Sequence, residues 1–170
     1  MHLIEDTRQQ KGQHELKHEY WMKLGANIIR CKLPFGDYAK PPLIAIDTKA
    51  DIYEIASNLM HQHARFKKEC IAASVAGCQL IILIENTDGV RCVDDLERWI
   101  ESEEHFQMRR SRRYYSKRII GSSLAKTMRT MAERYGVRWE FCTPNEAGEK
   151  VLALLDEPIV CPHCGNKIRE

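Results

Sequence analysis

Asp37, Asp47 and Lys49 are the side chains whose types and spacing point most directly to chemistry. Asp37 closes the turn Pro34-Phe35-Gly36-Asp37. Ten positions later Asp47 and Lys49 end the run Leu43-Ile44-Ala45-Ile46-Asp47-Thr48-Lys49. Residues two apart on an extended strand share a face, so Asp47 and Lys49 point the same way. Paired carboxylates suit a hard divalent ion such as Mg²⁺ or Mn²⁺, which takes oxygen ligands and keeps several waters. Such an ion polarises a phosphate and acidifies a bound water, while a neighbouring ammonium orients that water and balances the developing charge. The chemistry implied is phosphodiester hydrolysis. An Asp-x-Lys triplet alone is a common strand end. The inference rests on an order: Gly-Asp turn, apolar strand, Asp-x-Lys, capped amphipathic helix.

The elements that must position these residues follow from periodicity and punctuation. Leu3-Ile4 ends a short strand running into Glu5-Asp6-Thr7-Arg8, and His14 to Leu24 reads as a helix closed by Gly25. Asn27 to Leu33 is β-branched and apolar, a strand. Leu43 to Thr48 is the next, with Leu43, Ala45 and Asp47 on one face and Ile44, Ile46 and Thr48 on the other. Asp51 caps a long helix in which Ile52, Ile55, Ala56, Leu59, Phe66, Cys70 and Ala73 recur at helical spacing to about Ala76, before Gly77. Gln79 to Glu85 is a continuous apolar run, expected of a strand buried on both faces. Asp94 to Ile100 reads as a short acidic helix, followed by a loop carrying the basic block. Ser122 or Ser123 then caps a helix through Tyr135, Val137 to Cys142 forms a last strand and Asn145 to Leu155 a last helix. Alternating strands and helices imply an α/β fold, a mixed central sheet flanked by helices, with an antiparallel portion around Gly36-Asp37.

This order of motifs resembles the XPF-type nuclease domain, a branch of the restriction-endonuclease-like PD-(D/E)xK superfamily, over roughly Leu3 to Asn86. Asp6-Thr7-Arg8-Gln9 matches that family's Asp-x-Arg-Glu, Gly36-Asp37-Tyr38 its Gly-Asp-Tyr turn, and Asp47-Thr48-Lys49 its Glu-Arg-Lys. Arg65, followed by Phe66 and Glu69, resembles its arginine motif, and Glu85-Asn86 its apolar strand ending in Glu. The C-terminal half, with Lys126-Thr127-Met128 and Arg134-Tyr135-Gly136-Val137, looks more like short phage- or bacterial-type members. The resemblance implies a restriction-endonuclease-like core in which Asp37 and Asp47 ligate Mg²⁺ or Mn²⁺, the Thr48 carbonyl adds a ligand, and Lys49 acts on the water. Asp6, Glu54 and Arg65 would support the site from its rim. Asp6 reads equally as a turn residue after a strand, and Glu54 as a solvated helix residue. Asp51 or Glu54 falls near that family's acidic helix start but is off by a residue or more, and two further positions depart from the pattern. Thr48 replaces the middle arginine, and Gln9 replaces a glutamate that would serve a second metal. DNA, in branched or junction form, is the implied substrate, and a homodimer the implied assembly.

Elsewhere the charge is segregated although the net is only +2. Residues 94–104 carry six acids against Arg98 alone; residues 105–118 carry six bases and no acid. Arg109, Arg110, Arg112, Arg113, Lys117 and Arg118, with Tyr114 among them, have the makings of a DNA-contacting surface. The alternative is a solvated loop paired with the acidic segment. Cys161-Pro162-His163-Cys164-Gly165 is half a zinc knuckle, able to bind Zn²⁺ only if further ligands complete it. His61 and His63, two apart on a helix, diverge by about 200° and do not share a metal. The odd count of seven cysteines and the N-terminus without a signal pattern argue against a disulfide scaffold, leaving Cys31, Cys70, Cys78, Cys92 and Cys142 as reduced packing residues. No apolar run is long enough to span a bilayer. The expectation is a cytoplasmic protein of a bacterial or phage-infected cell, with a nuclease domain over 1–155 and a short cysteine-containing tail over 156–170. Two functions remain in view: a Mg²⁺-dependent endodeoxyribonuclease, favoured by the trio Asp37, Asp47 and Lys49, and a nuclease-fold DNA-binding or scaffold module, favoured by the two departures.

Overall fold

The apolar runs at Ile44–Lys49 (β4) and Gln79–Glu85 (β5) become the central strands of a single six-stranded sheet. The structure, a computed structural model, describes residues 2–9, 14–40, 44–111 and 117–157. The remaining strands are β1 (His2–Asp6), β2 (Asn27–Cys31), β3 (Tyr38–Lys40) and β6 (Arg138–Cys142), and the order across the sheet is β2-β1-β3-β4-β5-β6. β3 pairs antiparallel with both β1 and β4, and the other pairings are parallel. Every strand but β3 therefore runs the same way.

Helices cover both faces. α1 (Glu15–Lys23) and α6 (Ala147–Leu155) enclose one core with Leu3, Tyr38, Ile44, Ile46, Ile81 and Leu83. α2 (Ile52–Met60), α3 (His63–Val75) and α5 (Gly121–Tyr135) enclose the other with Ala45, Leu80, Ile82 and Ile84. The alternation along β4 is the one its sequence predicts. Trp21 is fully buried and its indole N–H donates to the Gly148 carbonyl at 2.8 Å, which fixes α1 against α6.

Several expectations are corrected. The antiparallel portion does lie beside Gly36-Asp37, but it is β3 against β1 and β4; Asn27–Cys31 instead pairs parallel with β1 at the sheet edge, as a strand–helix–strand crossover through α1 allows. β3 has three residues, too few for periodicity to reveal. The long helix divides at His61-Gln62, where the Gln62 N–H reaches back five residues to the Ser57 carbonyl and widens the last turn, although the apolar spacing continues in phase across the break. The acidic helix shrinks to a 3-10 turn, Asp95–Glu97, and the start of the basic block is a helix, α4 (Glu103–Ser111). Neither Ser122 nor Ser123 caps α5. Its N-cap is Ile120, and Gly121 opens it because a Cβ there would lie 2.1 Å from the Leu96 carbonyl oxygen. Cys70 and Cys142 are packing residues whose thiols burial pushes up to about 12, but Cys31 and Cys92 are exposed. No helix among the described residues is long and apolar enough to cross a membrane.

Candidate active site

Parallel strands end at one edge of the sheet, and a crevice outside their carboxyl ends is the usual ligand site of α/β folds. Here β1 ends in Asp6, β4 in Asp47-Thr48-Lys49 and β5 in Glu85, while Asp37 directly precedes the opposed β3 and so reaches the same edge. A cleft of about 1020 Å³ opens there. Asp6, Asp37, Asp47, Thr48, Lys49, Glu54 and Arg65 all line it, so the residues singled out around the Asp-x-Lys motif are brought together.

Backbone hydrogen bonds place Asp37. Its N–H donates to the Ile46 carbonyl at 2.7 Å, and its own carbonyl accepts the Asp6 N–H at 2.8 Å, which ties it to strands on both sides. Gly36 makes this approach possible. Its φ is +70°, and a Cβ would sit 3.0 Å from the Ile46 carbonyl oxygen. The Asp37 carboxylate accepts the Thr48 N–H at 2.8 Å and the Thr48 hydroxyl at 2.5 Å.

Asp47 and Lys49 are buried and paired, with the ammonium 2.7 Å from Asp47 Oδ2 and 3.8 Å from Glu54 Oε1. Burial pushes the Asp47 carboxyl up to about 7, reinforced by the charges of Asp37 and Glu69 and opposed by Lys49. Burial works against the charge on Lys49, yet Asp47 outweighs it and holds the ammonium above its usual range. Glu54 is positioned by a reciprocal cap. Asp51 Oδ1 accepts the Glu54 N–H at 2.7 Å while Glu54 Oε2 accepts the Ala50 N–H at 2.8 Å, which seats the first turn of α2 on the end of β4.

The cleft has further members that sequence reasoning did not assign. Glu69, on α3, accepts the Gly36 N–H at 3.1 Å and braces the turn that carries Asp37. Lys17 and Glu85 form a buried ion pair, and Arg8 clasps Asp6. His14 lines the wall with both ring nitrogens shielded and unpartnered, edge-on to Tyr38; burial, then Lys17, keeps its pKa below the usual histidine value. Glu85, as the acid ending a buried strand, and Arg8 and Glu69, as members of the quoted motifs, carried a legible signal; Lys17 on α1 and His14 at its N-cap belong to no motif.

None of the described residues of the basic block lines the cleft. Arg109 is bound to the buried Glu101 carboxylate, Nε to Oε1 at 2.6 Å and Nη2 to Oε2 at 2.7 Å, and Arg118 pairs with Glu103. Glu101 also accepts from His105 at 3.1 Å and from the Ile119 N–H at 2.8 Å, and His105 stacks on Tyr53 of α2 at 3.3 Å. Arg110 and Lys117 are exposed; Arg112, Arg113 and Tyr114, like Cys161 and Cys164, lie outside the described residues.

Among the described residues no three His, Cys, Asp or Glu side chains converge closely enough to hold a metal by themselves. Asp37 and Asp47 nonetheless bring a set of hard carboxylate oxygens to one cleft, with Lys49 beside Asp47. That set fits an ion which keeps much of its water, such as Mg²⁺.

The fold, a mixed six-stranded sheet with helices on both faces, is restriction-endonuclease-like. It is similar to XPF from Aeropyrum pernix, with a TM-score of 0.62 and 18% identity over 91% of this chain, and to the same protein in complex with DNA, with 0.60 and 17% over 91%. The chain spans 63% and 62% of the lengths of those two chains. No protein-family model and no curated protein sequence matches.

Proposed function

We propose that the protein is a divalent-metal-dependent endonuclease acting on DNA. The observation that carries this reading is the meeting of Asp37, Asp47 and Lys49 in one cleft at the carboxyl edge of an XPF-like sheet. That an XPF of this fold occurs in complex with DNA supports DNA as the substrate class.

Asp37, Asp47 and the Thr48 carbonyl would hold the ion, and a bound Mg²⁺ or Mn²⁺ supplies charge for the phosphate and a water of lowered pKa. Lys49 keeps its proton at Nζ, oriented between Asp47 and Glu54, and donates hydrogen bonds to the attacking water and the phosphate oxygens. The Thr48 N–H and hydroxyl hold the Asp37 carboxylate at the end of β4. Glu69 holds the Gly36 turn and so the position of Asp37. Asp6, Glu54 and Arg65 support the rim. The surface around α4, with Arg110 and Lys117 exposed and Arg112, Arg113 and Tyr114 following in sequence, would contact DNA away from the scissile bond. Assembly as a homodimer is part of this proposal, with light scattering as its check.

Incubation with plasmid, flap and junction DNA in Mg²⁺ or Mn²⁺ tests the reading. Cleavage lost in Asp47→Asn, with folding and DNA binding retained, supports it. Binding with no cutting by the unmodified protein overturns it in favour of a nuclease-fold binding module. That second reading draws on Gln9, on Thr48 in place of an arginine, and on the closed Lys49–Asp47 pair.

A further inference from the structure

The carboxylates at the sheet edge divide by what neutralises them. Asp47 has Lys49 and Glu85 has Lys17. Asp6 has Arg8, whose guanidinium reaches both carboxylate oxygens: Nε lies 3.0 Å from Oδ1 and 2.9 Å from Oδ2, and Nη2 bonds Oδ2. The Arg8 backbone N–H adds a bond to Oδ1 at 2.7 Å. Three N–H groups of Arg8 thus engage the two oxygens of Asp6, with Nε shared between them. Arg8 is itself braced, with Nη2 donating to the Leu33 carbonyl at 2.7 Å. Burial opposes charge on Asp6, but the bonds from Arg8 outweigh it and hold the carboxyl below its usual range. Arg8 also feels the charges of Glu69 and Asp37, so one guanidinium answers to three acids of the cleft.

Resting on the metal-dependent reading above, we propose that Arg8 takes the place of a second cation, so that the site binds a single divalent ion on the Asp37–Asp47 side. Asp6 is then a positioning residue. It holds Arg8 through its side chain and Asp37 through its N–H, and it is not a ligand. Gln9 is consistent with this arrangement, because a neutral amide leaves the guanidinium as the cation opposite Asp6.

Counting Mn²⁺ bound to the full chain by titration calorimetry and by loss of the free-ion paramagnetic signal tests the proposal without DNA or turnover. Mn²⁺ prefers oxygen ligands and so avoids the cysteines. The wild type is expected to bind one ion, and Asp47→Asn none. Asp6→Asn is expected to keep one, because Asp6 is no ligand. Arg8→Met, once its cooperative melting shows that it folds, is expected to bind two, and Asp6→Asn with Arg8→Met one again. Two ions on the wild type, loss of the ion in Asp6→Asn, or a single ion on folded Arg8→Met each overturns the proposal and leaves the nuclease reading standing. No ion on the wild type removes the metal-dependent reading itself, and this proposal with it.

Discussion

At the scale of the residue, charge in this cleft is arranged as pairs, and each pair predicts a different consequence of mutation. Lys17 and Glu85 are both almost fully buried, so removing one partner strands a charge in the interior. Lys17→Met is expected to lower stability by about 3–5 kcal/mol in urea unfolding, and Lys17→Met with Glu85→Gln to recover most of it. Lys49→Met acts on chemistry, because the ammonium faces the reacting centre. Cleavage in Mg²⁺ is expected to fall on the order of 10²–10³-fold in kcat, the usual effect of deleting one preorganised donor, with little change in DNA affinity.

At the scale of the element, the turn before β3 and the segment between β5 and α5 decide where functional groups lie. Gly36→Ala would force a left-handed φ on a residue whose Cβ meets the Ile46 carbonyl oxygen. We expect a loss of about 1–3 kcal/mol in thermal or chemical unfolding, with cleavage impaired more than folding because Asp37 shifts with the turn. Glu101 anchors the second segment. Burial opposes its charge, but Arg109, the Ile119 N–H and His105 outweigh burial and hold the carboxyl below its usual range. A depressed carboxyl contributes stability above its unfolded pKa, near 4.5, and loses it as pH falls through the lower folded value. The acid limb of stability against pH should therefore be shallower in Glu101→Gln than in the wild type, while the wild type is the more stable of the two at pH 7.

At the scale of the molecule, the basic block divides into anchored and exposed members, and salt dependence separates them. Arg109 is bound to Glu101, so Arg109→Ala is expected to lower the melting temperature. Arg110 and Lys117 are exposed, and each alanine substitution is expected to weaken DNA binding uniformly across sequences. Each should also reduce the slope of log affinity against log salt by about 0.9, the value of one lost phosphate contact. Slopes unchanged from the wild type in Arg110→Ala and Lys117→Ala would remove this surface from the binding face.

How much of this was legible beforehand follows the range of the interactions. The doubly buried strand Gln79–Glu85, the Asp51 cap, the helix end before Gly136 and the Asp37, Asp47, Lys49 set could be read from the chain, because caps, periodicity and strand alternation act over a few residues. Tertiary structure decided what distant residues do to one another. It inserted three-residue β3 between β1 and β4, broke the long helix at His61-Gln62, joined Lys17 to Glu85 across 68 positions, and set Glu69 against Gly36 across 33. Pairs so far apart leave no local pattern. They form only when the sheet brings the strand ends to one edge, where burial makes each charge require a partner.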